Sequence, residues 1–189
     1  MRIIAGTAGS TLLAMPKGPA IRPTPDKVKQ AIFSSLGEAI IGARVLDLFA
    51  GTGALGLEAV SRGASQAWLV DDSRFAVDAA AANAGKTRLT EKVEVERSDA
   101  VRAIERLAQK ARAFDIIFAD PPYEKNQRPE KSLAQKLLNC PATISILAPN
   151  GVLVMEHYKG DTLEGGASWE LGRQLRHGDT LISFFKVNR

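Results

Sequence analysis

The sequence predicts an α/β protein with a mainly parallel sheet, helices on both faces of that sheet, and an antiparallel hairpin at its C-terminal edge. Three observations carry this prediction. Short apolar runs alternate with helical patterns from residue 44 onward. A Gly-rich turn joins the first run to the helix that follows it. Two strand-like runs, 169–176 and 180–187, flank His177-Gly178-Asp179 and predict a closing hairpin.

Residues 1–40 precede the alternation, and we expect them to form an N-terminal extension to a main domain over 41–189. Short apolar pieces on either side of the Gly-rich stretch 6–10 predict a small hairpin. A loop rich in Pro, Gly and basic residues follows over 17–23. A helix is predicted over 24–37, because Thr-Pro opens it as N-cap and first helical residue, apolar residues recur at helical spacing, and glycine ends it.

The main domain contains five apolar runs and the terminal hairpin, which together predict seven strands. The expected strands are Val45–Phe49, Ala67–Val70, Val93–Glu96, Phe114–Ala119, Val152–Glu156, Trp169–Arg176 and Thr180–Val187. The expected helices lie at about 54–62, 74–84, 101–111 and 130–139, with a further turn at 144–147. In such a sheet, ligands bind in the loops at the carboxyl ends of the strands.

Composition and charge limit the class of protein without identifying it. The chain has 189 residues, of which 45% are hydrophobic and 24% are charged, as is ordinary for one globular domain. The formal net charge is +4, which permits a nucleic-acid partner but does not establish one. Five basic residues lie among the first 30 against one acid, Asp26, and they form either a solvated face or a phosphate-binding one. They are Arg2, Lys17, Arg22, Lys27 and Lys29.

The sequence argues against disulfides, metal sites, membrane spans and a signal peptide. Cys140 is the only cysteine, so an internal disulfide is impossible and a reducing compartment is expected. With two histidines and no thiol cluster, we expect no metal site. No apolar run approaches the ~18 residues of a membrane span. The N-terminus lacks the apolar core of a signal peptide, so we expect a cytoplasmic protein without membrane partners.

The sequence from Gly51 to Gly56 matches G-x-G-x-x-G between a strand and a helix, and Asp71 ends the next strand. Glycines permit close backbone approach to a ligand, and an acid at this spacing can accept hydrogen bonds from a ribose diol. The pattern fits NAD, another nucleoside-containing cofactor, or simply a tight helix-packing turn.

Asp47 favours a cofactor with a cationic end. This carboxylate interrupts an apolar strand just before the turn, where it would repel the phosphates of a dinucleotide. S-adenosylmethionine offers a sulfonium, an ammonium and a ribose, and Asp99 follows the third strand in position to reach the adenine edge. Structural alternatives are an ion pair between Asp47 and Arg44, and capping of the next helix by Ser98 or Asp99.

Asp120-Pro121-Pro122-Tyr123 follows the fourth strand. Two prolines forbid continuation of helix or sheet, so the strand ends in a stiff loop. A carboxylate, prolyl carbonyls and a stackable ring suit a flat group that carries an NH2. The alternative is a strand-ending turn without a ligand.

These motifs, in this order and spacing, resemble a class I S-adenosylmethionine-dependent methyltransferase with a Rossmann-like fold, and the last resembles methyltransferases that act on nucleobase amines. They are Asp47-Leu-Phe-Ala-Gly51-Thr-Gly53, Asp71, Asp99 and Asp120-Pro-Pro-Tyr123. Arg2-Ile-Ile-Ala-Gly6 and Arg22-Pro23-Thr24 are similar to the RsmD family. That family methylates the exocyclic N2 of a guanine in 16S ribosomal RNA.

The resemblance implies how S-adenosylmethionine would be held. Asp47 and the turn containing Gly51 and Gly53 would hold the methionine end. Asp71, where the family usually has Glu, would bind the ribose hydroxyls, and Asp99 would meet the adenine amino group.

The resemblance also implies how the substrate would be held. Asp120 and the Pro121 carbonyl would grip the target amine, and Tyr123 would stack on the base. The basic residues would contact RNA phosphates, namely Lys17, Arg22, Lys27 and Lys29. The expected partner is 16S ribosomal RNA within a small-subunit particle, bound by a monomer.

Three alternatives stay open at this point. One is the same chemistry on adenine or cytosine in DNA or other RNA, or on a protein amide. Another is an NAD-dependent oxidoreductase, against which Asp47 and the Asp120 loop count. The last is a non-catalytic RNA-binding assembly factor, which would not need an intact Asp120-Pro-Pro-Tyr123.

Overall fold

The computed structural model describes residues 1–15, 24–122 and 132–188. The helices in these ranges are α1 (Asp26–Leu36), α2 (Ala54–Ser61), α3 (Arg74–Lys86), α4 (Ala100–Gln109), α5 (Leu133–Asn139) and α6 (Pro141–Ser145). The strands are β1 (Arg44–Asp47), β2 (Gln66–Asp71), β3 (Val93–Arg97), β4 (Phe114–Ala119), β5 (Leu147–Tyr158), β6 (Trp169–His177) and β7 (Thr180–Val187).

Seven strands of the described residues form one sheet in the order β3-β2-β1-β4-β5-β7-β6. β2 pairs in parallel with both β1 and β3, and β4 pairs in parallel with β5. β7 runs antiparallel to β5 and to β6. The predicted fold class and the terminal hairpin are therefore confirmed.

Several predicted boundaries differ from the structure, and two of these differences have a clear physical cause. β5 begins at Leu147, not at Val152, and the pairing partner jumps from Phe114↔Leu147 to Ile116↔Val152. The Pro149-Asn150-Gly151 segment is thus a bulge inside one long strand, with Asn150 at φ 65°. The first helix has Pro25 as its N-cap without a side-chain cap bond, so the expected Thr24 cap is wrong.

The chain divides into two compact units, Met1–Ala100 and Val101–Arg189. The expected boundary between residues 40 and 41 lies inside the first unit and stays a prediction. In the first unit, α2 is buried at all eight of its positions. It packs against β1 and β2 and also receives hydrogen bonds from the N-terminal segment, which explains why it is apolar on nearly every side.

The second unit is built on the buried strands β4 and β5. Trp169 at the start of β6 is 5% exposed, and its indole N–H donates to the Leu138 carbonyl of α5 at 2.9 Å. The hairpin turn has Gly178 at φ 59°, a left-handed conformation that glycine adopts readily. No helix in the described ranges combines the length and apolarity needed to cross a membrane.

Candidate functional site

The Gly-rich turn after β1 requires its glycines for two reasons. Gly51 and Gly53 have φ of 55° and 79°, in the left-handed region. Gly56, in the first turn of α2, lies so close to β2 that a β-carbon would be 2.1 Å from Leu69 Cδ2. The first two glycines therefore shape the loop, and the third allows the helix to pack on the sheet.

Asp71 holds this turn from the neighbouring strand. Its Oδ2 accepts a hydrogen bond from the Gly51 N–H at 2.9 Å, and its Oδ1 accepts one from the Ser73 N–H, also at 2.9 Å. A carboxylate has about four acceptor positions, so it can still accept bonds from hydroxyl groups of a ligand. Because the side chain is half-buried at the end of β2, it can brace the turn and face a bound nucleoside.

Asp47 ends β1 and is 2% exposed. Its Oδ2 accepts the Gly56 N–H at 3.1 Å, within the first turn of α2, where backbone N–H groups lack helical partners. A negative charge at a helix N-terminus is favourable. Asp47 therefore fixes the angle between strand and helix at the turn, while direct contact with a ligand stays a prediction.

The loops after β2 and β3 are joined to each other. The Ser98 N–H donates to the Asp71 carbonyl at 3.0 Å, and Arg97 Nε donates to the Asp72 carbonyl at 3.0 Å. Asp99 follows directly, is exposed, and precedes the first residue of α4. Its contact with an adenine stays a prediction.

In the second unit, Asp120 follows β4 directly and is half-buried. Pro121 is buried and Pro122 is exposed, so the chain leaves the sheet here, as the two prolines predict. Tyr123 lies outside the described residues, and the predicted roles of all three candidates stay predictions.

Of the four basic residues expected to contact RNA, Lys17 and Arg22 lie outside the described residues. Lys27 is exposed on α1. Lys29 is fully buried, at 0% exposure, and the prediction that it contacts phosphate is therefore wrong. Its place in the sequence carries a signal for burial, because Lys29 continues the apolar stripe of Ile32, Phe33 and Leu36 at helical spacing.

Lys29 takes part in a buried charge cluster instead. Its ammonium donates to the Arg2 carbonyl and lies 3.6 Å from Asp26 Oδ1 and 3.9 Å from Glu58 Oε2. Burial lowers the pKa of Lys29, and the charges of Glu58 and Asp26 oppose that shift. The lysine therefore joins α1 to both α2 and the first residues of the chain.

Glu58 is a residue that the sequence reasoning missed. It is fully buried in α2, and its carboxylate accepts the Ile4 N–H at 2.7 Å, the Ala5 N–H at 3.1 Å and Arg62 Nε at 2.7 Å. Arg62 in turn lies over the Phe33 ring at 4.8 Å. The signal that could have found it is an acid in an otherwise apolar helix.

Ser61 completes the attachment of the N-terminal segment to α2. Its hydroxyl donates to the Ala5 carbonyl at 2.6 Å and accepts the Ala8 N–H at 2.9 Å, and its own carbonyl accepts the Thr7 N–H at 2.8 Å. A β-carbon on Gly6 would lie 1.8 Å from the Ser61 carbonyl oxygen. The Arg2–Gly6 motif is thus a docking segment whose backbone is held by α2.

Asn83 of α3 is a second residue that sequence reasoning missed. It is 0% exposed, and its amide contacts the backbone of Ala14 and of Thr52. Thr52 is the central residue of the Gly-rich turn. Asn83 therefore connects the candidate cofactor turn to the N-terminal segment, and an asparagine within an Ala-rich helix was the available signal.

The chain is similar to a protein family and to known proteins over nearly its whole length. The family described as Conserved hypothetical protein 95 matches residues 1–186. YlbH of Bacillus subtilis is 38% identical over 98% of this chain and 98% of that protein. The Ribosomal RNA small subunit methyltransferase D of Escherichia coli K12 is 35% identical over 98% of this chain and 89% of that protein.

The fold is shared with solved structures. The structure of yhhF from Escherichia coli superposes with a TM-score of 0.84 at 28% identity, and the match covers 100% of this chain and 98% of that one. The Rossmann-like class I fold implied by the motifs is confirmed by this match.

Proposed function

The chain belongs to the Conserved hypothetical protein 95 family, the RsmD family, and on this premise we propose that it methylates the exocyclic N2 of a guanine in 16S ribosomal RNA. At the coarser level it is an S-adenosylmethionine-dependent ribosomal RNA methyltransferase. The nucleotide, the small-subunit particle as substrate, the monomeric state and the cytoplasmic location all belong to the proposal.

One observation in the first unit carries the assignment of the cofactor. Three carboxylates, Asp47, Asp71 and Asp99, end or follow β1, β2 and β3, which are adjacent parallel strands. The carboxyl ends of parallel neighbours share one edge of the sheet, so this edge carries negative charge. Such an edge suits a cationic ligand with hydroxyl and amino groups and repels the pyrophosphate of a dinucleotide.

The residues of this edge fit S-adenosylmethionine in three separate ways. The Gly51–Gly53 turn presents backbone without side chains, so a ligand can approach it closely. Asp71 keeps acceptor positions for the ribose hydroxyls after it has accepted two backbone N–H groups. Asp99 is exposed and can accept from the adenine amino group. When bound, the cofactor supplies an activated methyl group on a sulfonium.

The protein has to make the guanine amine nucleophilic. The lone pair of an exocyclic amine is delocalised into the ring, which makes the nitrogen a weak nucleophile. The Asp120 carboxylate and the Pro121 carbonyl would accept hydrogen bonds from its two N–H groups and favour a tetrahedral nitrogen. Its lone pair would then be directed at the methyl carbon, and the nitrogen–carbon bond would form as the carbon–sulfur bond breaks and S-adenosylhomocysteine leaves. The cationic product nitrogen then loses a proton, either to Asp120 or through it to water.

Orientation supplies the remaining part of the barrier reduction. Correct placement of two reactants contributes up to about 7–11 kcal/mol. A base inside a helix cannot reach the cofactor, so the target lies in an unstacked loop or is flipped out. Stacking on Tyr123 would add about 1–3 kcal/mol to holding the extruded base.

After the correction at Lys29, the basic residues proposed to contact phosphate are Lys17, Arg22 and Lys27. Phosphate contacts position the RNA without reading its sequence. Specificity for guanine would then depend on how Asp120 and Pro121 contact the base. We rank Arg22 first among the three phosphate candidates, because a proline follows it in the sequence and is expected to restrict the residue before it.

Transfer of a labelled methyl group tests the proposal. The acceptors are 16S RNA transcribed in vitro, unmethylated small ribosomal subunits, duplex DNA and bulk protein. We expect label in the ribosomal RNA of at least one of the first two. Label in DNA or protein alone would refute the RNA assignment. Calorimetry adds a test of the cofactor, since binding of NADH in preference to S-adenosylmethionine would refute the assigned class.

A further inference from the structure

In the second unit, Asp120 and the turn between β6 and β7 lie at the same edge of the sheet. β4 and β5 run in parallel, with Ala119 opposite Met155, so their carboxyl ends share this edge. β7 begins at the edge because it runs antiparallel to β5, and β6 ends there because it runs antiparallel to β7. Residues 176–180, here called the hairpin tip, are therefore on the side of the sheet that carries the proposed base-gripping residue.

The strand register shows how far the hairpin tip lies from Asp120. Ala119, which precedes Asp120, is level with Ser183 of β7 and Gln174 of β6 through successive pairings. Arg176 is thus one residue further along the strand direction than Asp120, and three strand spacings of about 4.8 Å away. The two Cα atoms are then about 15 Å apart. An RNA strand whose extruded base lies at Asp120 reaches this far within a few nucleotides.

The hairpin tip presents positive charge. Arg176 and His177 are both exposed, and β6 is the outermost strand on this side of the described sheet. The acid of the turn is already engaged, because Asp179 Oδ1 lies 2.6 Å from Lys159 Nζ. Among the residues that the structure describes, Arg176 forms no ion pair, so its guanidinium is available to an anion from solution.

The backbone beneath Arg176 is held by contacts that cross three strands. His157 Nε2 of β5 lies 2.8 Å from Ser183 Oγ of β7, and Gln174 Nε2 of β6 donates to the same oxygen at 2.9 Å. His157 and Ser183 are both buried. At the turn itself, the Lys159 N–H donates to a hairpin-tip carbonyl at 2.8 Å. A ligand that binds Arg176 therefore does not have to order its backbone, which lowers the entropic cost of binding.

We propose that the hairpin tip is an RNA-binding surface, on which Arg176 contacts a backbone phosphate of the strand that flanks the target guanine. The planar guanidinium matches the oxygens of a phosphate with two parallel N–H groups. The ring of His177 offers a further N–H to the same strand. Such contacts position RNA without reading its sequence. This inference rests on the proposed function and adds a phosphate site in the second unit.

Filter binding of labelled 16S RNA transcript, measured from about 50 to 200 mM KCl, tests the surface. Arg176→Gln removes the charge, and Arg176→Lys keeps it. Lys110→Gln is the matched control, because Lys110 is also an exposed cation of the second unit but lies just before the start of β4, at the opposite edge of the sheet. The Kd of tritiated S-adenosylhomocysteine is measured for each variant as well.

We expect Arg176→Gln to weaken RNA binding by about two- to fivefold at low salt. The slope of log K against log salt should become shallower by about 0.7–0.9, the value for one lost phosphate contact. Arg176→Lys should keep most of the slope, and Lys110→Gln should match the natural protein. The Kd of S-adenosylhomocysteine should not change in any of them.

Asp179→Asn supplies a test of opposite sign. The change keeps the size of the side chain but releases Lys159 from its carboxylate, so the hairpin tip gains a net positive charge. RNA should then bind more tightly than to the natural protein, with a steeper salt dependence. Loss of folding cannot mimic tighter binding, so this variant decides the matter if Arg176→Gln does not fold. Unchanged or weaker binding by Asp179→Asn would count against the hairpin tip.

The outcomes separate this inference from the proposed function. If the natural protein methylates RNA but Arg176→Gln binds RNA with unchanged affinity and slope, only the RNA-binding surface is refuted. An equal loss in Lys110→Gln would also refute it, because the effect would then come from net charge and not from the position of Arg176. If the natural protein neither binds nor methylates RNA, the proposed function fails and the surface fails with it.

Discussion

Replacement of Glu58 by glutamine tests the buried cluster that attaches the N-terminal segment. The change keeps the shape of the side chain but removes its charge. The carboxylate lies 2.7 Å from Arg62 Nε and 3.9 Å from Lys29 Nζ, and it accepts two backbone N–H groups at 2.7 and 3.1 Å. Glutamine has one acceptor oxygen for those two donors and leaves the buried ammonium of Lys29 without its partner on α2.

The expected loss in the free energy of unfolding is large for a single isosteric change. Removing one partner of a buried ion pair costs about 3–5 kcal/mol. A folded domain has a total stability of about 5–15 kcal/mol, so Glu58→Gln would remove a substantial fraction of it. For a chain of this length each kcal/mol lowers Tm by about 2–4 °C, which gives a decrease of roughly 6–20 °C.

Urea denaturation followed by circular dichroism measures the change, and Glu38→Gln is the control because Glu38 is exposed. The control should lie within about 0.5 kcal/mol of the natural protein. The double variant Lys29→Met/Glu58→Gln should lose less than the sum of its single changes, since neither buried charge is then left alone. A loss for Glu58→Gln no larger than that of the control would refute this reasoning.

Three further predictions concern the packing of α2, a buried histidine and the proposed catalytic carboxylate. Gly56→Ala should lower the free energy of unfolding by about 1–3 kcal/mol, because the added β-carbon overlaps Leu69. Gly85→Ala should raise it by up to about 1 kcal/mol, because its β-carbon meets nothing within 4 Å. Equal changes in Tm for the two variants would contradict this explanation. Burial lowers the pKa of His157, so the folded state takes up its proton less readily than the unfolded state, and stability should fall as the pH drops below 6.5 towards the folded-state pKa. Urea titrations between pH 7 and 5 should show this loss in the natural protein and a smaller one in His157→Gln, and equal slopes would contradict it. Asp120→Ala should lose nearly all turnover while its calorimetric affinity for S-adenosylmethionine is kept, and full activity would remove Asp120 from the mechanism.

The fold could be predicted because its signals are local and repeated. Apolar runs bounded by turn residues mark the strands, and the hairpin around Gly178 is visible from alternation and turn chemistry alone. The start of β5 was missed because Pro149-Asn150-Gly151 is typical of a turn, and only pairing with β4 keeps the bulged segment in the strand.

The local geometry of the candidate cofactor edge was predicted in part, while ligand contacts at this edge stay a prediction. The glycines and Asp71 stand at the predicted turn, and their backbone contacts explain why those residue types are required. Asp47 lies just before the turn, as its place in the sequence indicates, but its contact with the Gly56 N–H depends on how α2 packs on the sheet. No local sequence pattern predicts the angle at which α2 packs on the sheet.

The buried charge cluster around Lys29 and Glu58 could not be predicted from the sequence. A lysine among basic neighbours suggests a solvent-facing or RNA-facing surface, and only the placement of Glu58 on α2 explains why Lys29 is buried. Likewise, Asn83 forms hydrogen bonds with the backbone of Ala14 and Thr52, which lie 69 and 31 positions before it in the sequence. Hydrogen bonds over such separations cannot be predicted from the local sequence.

Nucleoside analysis of methylated RNA tests the central claim most directly. Unmethylated small ribosomal subunits would be incubated with the protein and labelled S-adenosylmethionine. The 16S RNA would then be digested to nucleosides, which would be separated by liquid chromatography and identified by mass spectrometry. The account predicts label in N2-methylguanosine and its loss with Asp120→Ala. Label in another nucleoside, or no label in RNA while DNA or protein is labelled, would contradict it.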